Sequence, residues 1–475
     1  MGTVKNTKND FTKGSVASNI LRMAIPMTIA QVVNVLYNIV DRMYIGRLPD
    51  EGMVALTGLG LTFPVISIVT AFANLCGSGG APLCSIARGE GNHEEAENIM
   101  GNAFTLLLIL GVALTGVVLA VKRPVLYAFG ASDVTFPYAD AYLTVYTLGS
   151  IFVMIGLGMN AFINSQGFGN FGMATVCIGA AANIVLDPIF IYLFDMGVQG
   201  AALATILSQF LSAVWVLKFL VGRRAILKLR FRHMRLRWRI VRRIVALGLS
   251  NFTMACTNSA VQVMCNSTLQ FYGGDLYVGV MTVINSIREV VFMPISGTTQ
   301  GALPVIGYNY GAHVYARVRQ CIKFITKLCV VYATFVCIFL QIFPELMIRI
   351  FNDSPELIQA GARCVRIYSC CFFMMSLQMA GQNTFLALGR SKQAIFFSLL
   401  RKVIIVVPLV YILPRIGGLG VTGVFLSEPI SDIIGGSACF ITMMCTVWRE
   451  LVAKEKAAKE AGELPEAEVP LPKKA

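Results

Sequence analysis

The sequence is short of charge. Only 13% of its 475 residues are Asp, Glu, Lys or Arg, against about a quarter in an ordinary soluble domain. Hydrophobic residues make up 56% and the mean hydropathy is +0.70, which excludes a water-soluble globular fold. Histidine is scarce: His93, His233 and His313 are the whole complement, and all three fall in or beside the expected connections between apolar runs. No Ser–His or Cys–His pair shares a depth, so nothing supports a membrane-embedded enzyme, and neither a cofactor nor a bound metal is expected. The 13 cysteines lack metal-type spacing and read as small packing residues; the adjacent Cys370 and Cys371 are poorly placed for a mutual disulfide.

What is present is a succession of twelve apolar runs, near 20–46, 53–82, 97–121, 138–165, 170–194, 198–220, 244–271, 276–303, 319–343, 358–386, 393–413 and 420–447. Each meets the roughly 20 residues a helix needs to span a bilayer. The expectation is an all-α, multi-pass protein of the plasma membrane. The polar start MGTVKNTKNDFTKGS does not resemble a cleavable signal, and the first apolar run is longer than a signal-peptide core.

The net charge of +14 is unevenly placed. Residues 218–243, KFLVGRRAILKLRFRHMRLRWRIVRR, carry eleven Lys or Arg and no acid. The positive-inside rule puts this connection in the cytoplasm, and six runs on either side bring both termini to the same face. Contact with lipid headgroups accounts for the basic patch better than nucleic acid does. The connection ARGEGNHEEAEN falls on that face too although it is acidic.

The basic connection divides an internal repeat. Gly79, Pro82, Gly89, Tyr146 and Gly167 correspond to Gly301, Pro304, Gly311, Tyr368 and Gly389 at a constant offset of 222, and GVQGAALAT (197–205) matches GVTGVFLSE (420–428) at 223. The expected organisation is a tail (1–19), a six-helix bundle (20–220), the basic linker (221–243), a second six-helix bundle (244–447) and a tail (448–475). An even number of spans per copy gives the bundles one orientation, related by a pseudo-two-fold axis along the membrane normal, with a solute cavity between them.

Asp41 interrupts the first apolar run, where a carboxylate costs about 2.5–3.5 kcal/mol on insertion scales. Helical spacing sets Asn38, Tyr37, Asn34 and Gln31 on its face. Either this stripe is a polar packing seam or it faces a water-filled cavity. Asp187 lies in the fifth run, four residues after Asn183. Measured from the expected outer ends of their helices, Asp41 and Asp187 sit about 8 and 10 Å deep, and Tyr142 and Thr205 fall in the same layer. Two carboxylates with these groups suit a hard cation held through oxygens, or a shared proton. In the second half, Arg288, Glu289, Arg401, Lys402, Glu428 and Asp432 balance three bases against three acids. They either pair with one another, or Glu428 and Asp432 line the cavity and meet a cationic solute.

The stretches AIPMTIAQVVNVLYNIVDRMYIGRL, GSGGAPLCSIARGEG, NSQGFGN and ANIVLDPIFIY, with the duplicated GVxG, resemble the multidrug and toxic compound extrusion (MATE) family over about residues 18–447. Within it the chain resembles the branch of the DNA-damage-inducible F type. The resemblance implies export of small organic, often cationic, compounds by antiport of a proton or sodium ion. It places the cation network on Asp41, Asn183, Asp187 and Thr205, and more loosely on Tyr142 and Asn160. It also marks Pro26 as the residue where the first helix bends, although a proline early in a helix needs no such role. The coupling acid that another branch carries in helix seven is missing. A monomer is expected to suffice. The competing transporter is a lipid-linked oligosaccharide flippase of the same superfamily, which would have a strongly basic cavity; a channel or receptor fits the duplicated bundle poorly.

Overall fold

The computed structural model describes residues 9–46, 48, 52–351 and 354–460; the ends of both tails lie outside this range. Apart from short connections the described residues are helical: α1 Val16–Gly46, α2 Gly52–Gly89, α3 His93–Ala128, α4 Phe136–Leu148, α5 Ser150–Ser165, α6 Gly169–Pro188, α7 Gly197–Val221, α8 Trp238–Gly311, α9 Tyr315–Ile342, α10 Pro344–Arg349, α11 Pro355–Ser369, α12 Phe372–Ala387, α13 Ser391–Leu399, α14 Val407–Ile412, α15 Gly420–Met443 and α16 Arg449–Glu460. Among the described residues nine helices are long and apolar enough to cross a membrane, or eleven when each bent pair counts as one span.

Two of the expected spans are bent pairs of helices. The run 138–165 is broken at Gly149 by 54°, between α4 and α5, and the run 358–386 by 44°, between α11 and α12. In the other direction, α8 joins two expected spans into 74 helical residues, about 111 Å if straight. Gly274 interrupts it with φ 67° and ψ −166°, a left-handed conformation that a side chain would disfavour. The chain reverses there, and residues 258–265 and 281–288 of the two arms line one cavity.

The side chains of α1 sort by face. Ile25, Ile29, Val32, Leu36, Ile39 and Met43 are exposed at helical spacing, as a lipid-facing stripe requires. On other faces Thr28 packs against Gly297 of α8, Ala24 against Gly301, and Gln31 donates to the Ser296 hydroxyl at 3.3 Å.

The buried core shows how the two sequence halves meet. One cluster containing Phe11, Ile20, Leu83, Met100, Ile306, Phe385 and Leu451 draws on both halves. Two others belong to one half each: Ile45, Tyr142, Tyr146 and Ile206 in the first; Cys265, Met281, Val410 and Phe425 in the second. The halves thus share a core at the end that carries both described chain ends and have separate cores toward the other end.

The described parts of the expected tails, and the linker, pack against the helices. Phe11 is buried, with the Arg88 guanidinium 5.3 Å from its ring centroid and Tyr308 packed edge-on. Arg317 donates to the carbonyls of Phe11, Lys13 and Gly14, and Asn309 donates to that of Phe11. Residues 449–460 form α16, which packs on α9 through the Arg319–Glu455 ion pair and is tied to the N-terminal cap of α13 by the pair of Arg390 with Glu450.

The basic linker is anchored to the start of α3. Glu97 accepts from the Lys228 amide at 2.9 Å, Asn102 from the Arg237 amide at 2.7 Å, and Thr105 donates to the Met234 carbonyl. Buried His233 contacts Asn98 and Glu97, and Glu95 pairs with Arg243. The acidic connection beside α3 is therefore the electrostatic counterpart of the basic one. Cys370 and Cys371 are both free thiols.

Candidate functional site

The site begins with two helices whose polar residues have no reason to face lipid. Residues 183–187 of α6 put Asn183 and Asp187 one turn apart, and Asn183 Nδ2 donates to Asp187 Oδ1 at 3.1 Å. Pro188 lacks an amide hydrogen, and the chain leaves α6 through a π-helical turn at 189–193, a distortion that often accompanies functional positions. From α7, Thr205 stands 3.5 Å from Asn183 Nδ2.

From α1, Asp41 turns inward to face Asp187. Asp41 is 9% exposed and Asp187 fully buried. Tyr142 faces Thr205, its ring stacked on Tyr146 at 6.2 Å, and Tyr37 lies against Asp41. Three oxygens here, Asp41 Oδ1, Asp187 Oδ2 and Asn183 Oδ1, are buried without a hydrogen-bond partner among the described residues. Unpaired buried oxygens in a carboxylate pair suit a cation. Among the described residues no group of three or more His, Cys, Asp or Glu could hold a metal.

The structure therefore brings together Asp41, Asn183, Asp187, Thr205 and Tyr142. Tyr37, expected on the cavity wall, joins them. Asn160 does not: it donates to the Gly172 carbonyl at 3.2 Å and accepts from Thr175 at 3.1 Å. Thr175 precedes Asn183 by about two helical turns, roughly 12 Å along α6, so Asn160 serves the packing of α5 on α6. Asn34 is exposed and Asn38 donates to its carbonyl, while Gln31 reaches across to α8. Pro26 lies inside α1 and is buried beside the contact with α8.

In the second half, Glu428 Oε1 meets Arg401 Nη2 at 2.5 Å, Lys402 Nζ at 2.7 Å and Arg288 Nη1 at 3.4 Å; Asp432 meets Arg401 at 2.8 Å. Arg401 and Lys402, adjacent in the π-helical segment 400–406, both reach Glu428 Oε1. The expected three-against-three balance is corrected: Glu289 is exposed and makes no ion pair among the described residues. Asp432 is buried against Arg401 and does not line the cavity; Glu428 does.

In the sequence, Tyr146 and Tyr368 have no role beyond their correspondence at the offset of 222. Each stands beside the polar cluster of its own half, Tyr146 on Tyr142 and Tyr368 accepting from Arg288 at 3.1 Å. Thr205 and Glu428, equivalent at 223, also occupy corresponding clusters.

The family described as MatE matches two stretches, residues 26–189 and 247–412, which together cover more than half of the chain. The chain belongs to the MatE family. Its two matches keep the register of the internal repeat to within one residue. Among curated relatives, the multidrug export protein MepA of Staphylococcus saprophyticus is 24% identical over 451 residues, 94% of this chain and 97% of that protein. MepA of Staphylococcus aureus is 24% identical over 440 residues, 92% and 95%. A crystal structure of MATE in the bent conformation aligns over 96% of this chain and 100% of its own, with 24% identity and a TM-score of 0.89. One in the straight conformation gives 0.87 at the same identity and coverage. The fold is that of a MATE transporter.

Proposed function

We propose that this MatE protein is a multidrug exporter, moving small organic, often cationic, compounds by alternating access at the expense of an inward proton or sodium gradient. The observation that carries the reading is the buried Asp41–Asp187 pair with its three unpartnered oxygens. Two facing carboxylates in a low-dielectric site repel unless a cation lies between them. Cation entry and loss then change how tightly α1 is held against α6 and α7, a differential stabilisation of two conformations of the first half. MepA relatives named for multidrug export support the substrate class, and members of such a transporter family are not enzymes.

The architecture that serves this function is twelve spans in two six-helix bundles, 20–220 and 244–447, with a pseudo-two-fold axis along the membrane normal. Counting the arms of α8 separately and each bent pair once gives twelve, and the paired family matches support the two-fold relation. The eleven basic residues of 218–243 support a cytoplasmic position for the linker and both termini in a plasma-membrane protein, beside anionic lipid headgroups. The shared core then closes the cytoplasmic side, and the cleft between the separate cores opens outward. Exposed Asn34, Asn74 and Gln300 on the spans line water there, with Gln31 and Asn38 toward the same cavity.

The absence of an acid from residues 244–271 and 372–387 supports the F-type branch, coupled through the first half. One chain carries both halves of the cleft, so a monomer suffices. The test uses purified protein in liposomes loaded with a fluorescent organic cation, under an imposed proton or sodium gradient. Dye movement that follows one gradient and stops when it is collapsed supports the reading; movement indifferent to both gradients rejects it.

A further inference from the structure

The ion-coupling cluster leaves a second polar cavity unused. It lies between the two arms of α8 and α15, with Gln262, Asn285, Arg288, Tyr368, Lys402 and Glu428 in its wall. The charges around it do not cancel. Glu428 and Asp432 are already held by Arg401 and Lys402 at 2.5–2.8 Å, so three bases meet two acids and one positive charge is surplus.

That surplus resides on Arg288. Arg401 and Lys402 are 4% and 9% exposed, whereas Arg288 is 30% exposed. Arg288 engages only Nη1, with Tyr368 at 3.1 Å and Glu428 at 3.4 Å. Its Nε and Nη2 have no partner among the described residues. These two donors form the parallel edge of the guanidinium that matches a carboxylate through two hydrogen bonds. In the same wall Asn285 Nδ2 is buried and has no partner among the described residues. Both features want an acceptor, and the single surplus charge matches a monoanion; a dianion would reverse the imbalance.

We propose that this cavity binds the carboxylate group of a solute, with the free edge of Arg288 as its two-pronged donor and Asn285 as a third. The inference rests on the export reading and names the group of the solute that the second half recognises. Apolar neighbours Val261, Met281 and Val424 favour a carboxylate attached to a hydrophobic body.

The test measures binding, so it stands apart from gradient-driven export. Purified protein in lipid nanodiscs is titrated calorimetrically with sodium benzoate and, at the same ionic strength, with benzamide, its uncharged isostere. Saturable benzoate binding at least tenfold tighter than benzamide is expected. Arg288→Gln should weaken benzoate at least tenfold, and Glu289→Gln, on the neighbouring exposed face, should not change it. Arg288→Lys keeps the charge and loses the two-pronged edge; it should weaken benzoate several-fold and serves if the Gln variant does not fold. Absence of saturable benzoate binding, equal affinity for benzamide, or unchanged benzoate affinity in an Arg288 variant overturns the proposal.

Discussion

Gly89 and Gly311, equivalent members of the internal repeat, each lie against the backbone of the helix that carries the other. A Cβ on Gly89 would stand 2.1 Å from the Tyr308 carbonyl oxygen, and one on Gly311 2.0 Å from that of Ile86. The contacted residues, 86 and 308, differ by the same 222 as the glycines, so the crossing of α2 and α8 is symmetric. Neither carbonyl is the end of a flexible side chain, so the helices must part to admit a methyl group. Gly311→Val is therefore expected to disfavour this closed crossing. Spin labels at the exposed positions 93 and 313 should report a longer distance in the variant; an unchanged distance distribution would show that the crossing tolerates the side chain.

Phe11 joins the halves at the same end. It contacts Arg88 and Tyr308 through its ring, while Arg317 and Asn309 hold its carbonyl. Phe11→Ala should destabilise the purified protein by about 3 kcal/mol, the lower range for a buried Phe. Arg317→Gln should cost less, about 1 kcal/mol, because Asn309 still donates to the carbonyl. Chemical unfolding in detergent measures both; a Phe11→Ala protein as stable as the unmodified one would show that the arm is not part of the core.

The docking of α16 should depend on pH. Burial works against ionisation of Glu450 and Glu455, but hydrogen bonds from Lys454 and Arg390 to the first, and from Lys459 and Arg319 to the second, hold both below the ordinary 4.5. Their contribution is complete above that value and disappears as pH falls through the lower, folded one. A nitroxide on exposed Ala453 should stay immobile at pH 7 and gain mobility below about pH 4. Mobility already high at pH 7, or constant down to pH 3, would contradict the role of these ion pairs.

The apolar runs and the acids inside them were legible in the sequence because lipid leaves few options: a span must be helical and apolar, and a polar residue within it needs a partner. Helical spacing found the Asp41 face and the constant offset found the repeat. What the sequence hid was three-dimensional convergence. Asn160 lies near Asn183 in chain order of helices, yet Thr175 and the Gly172 carbonyl occupy it. Glu289 follows Arg288 directly but projects to another side. The arm around Phe11 reads as a polar tail because its anchors, Arg88, Asn309 and Arg317, are distant in sequence. Asn160→Ala accordingly should leave the ion dependence of export unchanged while lowering thermal stability modestly, by about 1 kcal/mol; a shifted ion dependence measured in liposomes would return Asn160 to the coupling network.

Asp41 is the carboxylate expected to couple the ion to export. It comes from α1, whereas Asp187, Asn183 and Thr205 come from the adjoining α6 and α7, so a cation shared between the two acids ties α1 to the rest of its half. Asp41→Asn keeps the shape of the side chain, exchanges one acceptor oxygen for an amide donor and removes the charge that attracts the cation. The variant should fold and bind a fluorescent organic cation with an affinity within a few-fold of the original. Under an imposed gradient, however, its export should fall to the rate of empty liposomes, and Asp187→Asn should lose most of its export as well. Binding separates this outcome from misfolding, and export separates it from a packing role. Gradient-driven export by Asp41→Asn at a rate near that of the unmodified protein would leave Asp41 a buried polar residue of the α1–α6 contact and move the coupling elsewhere.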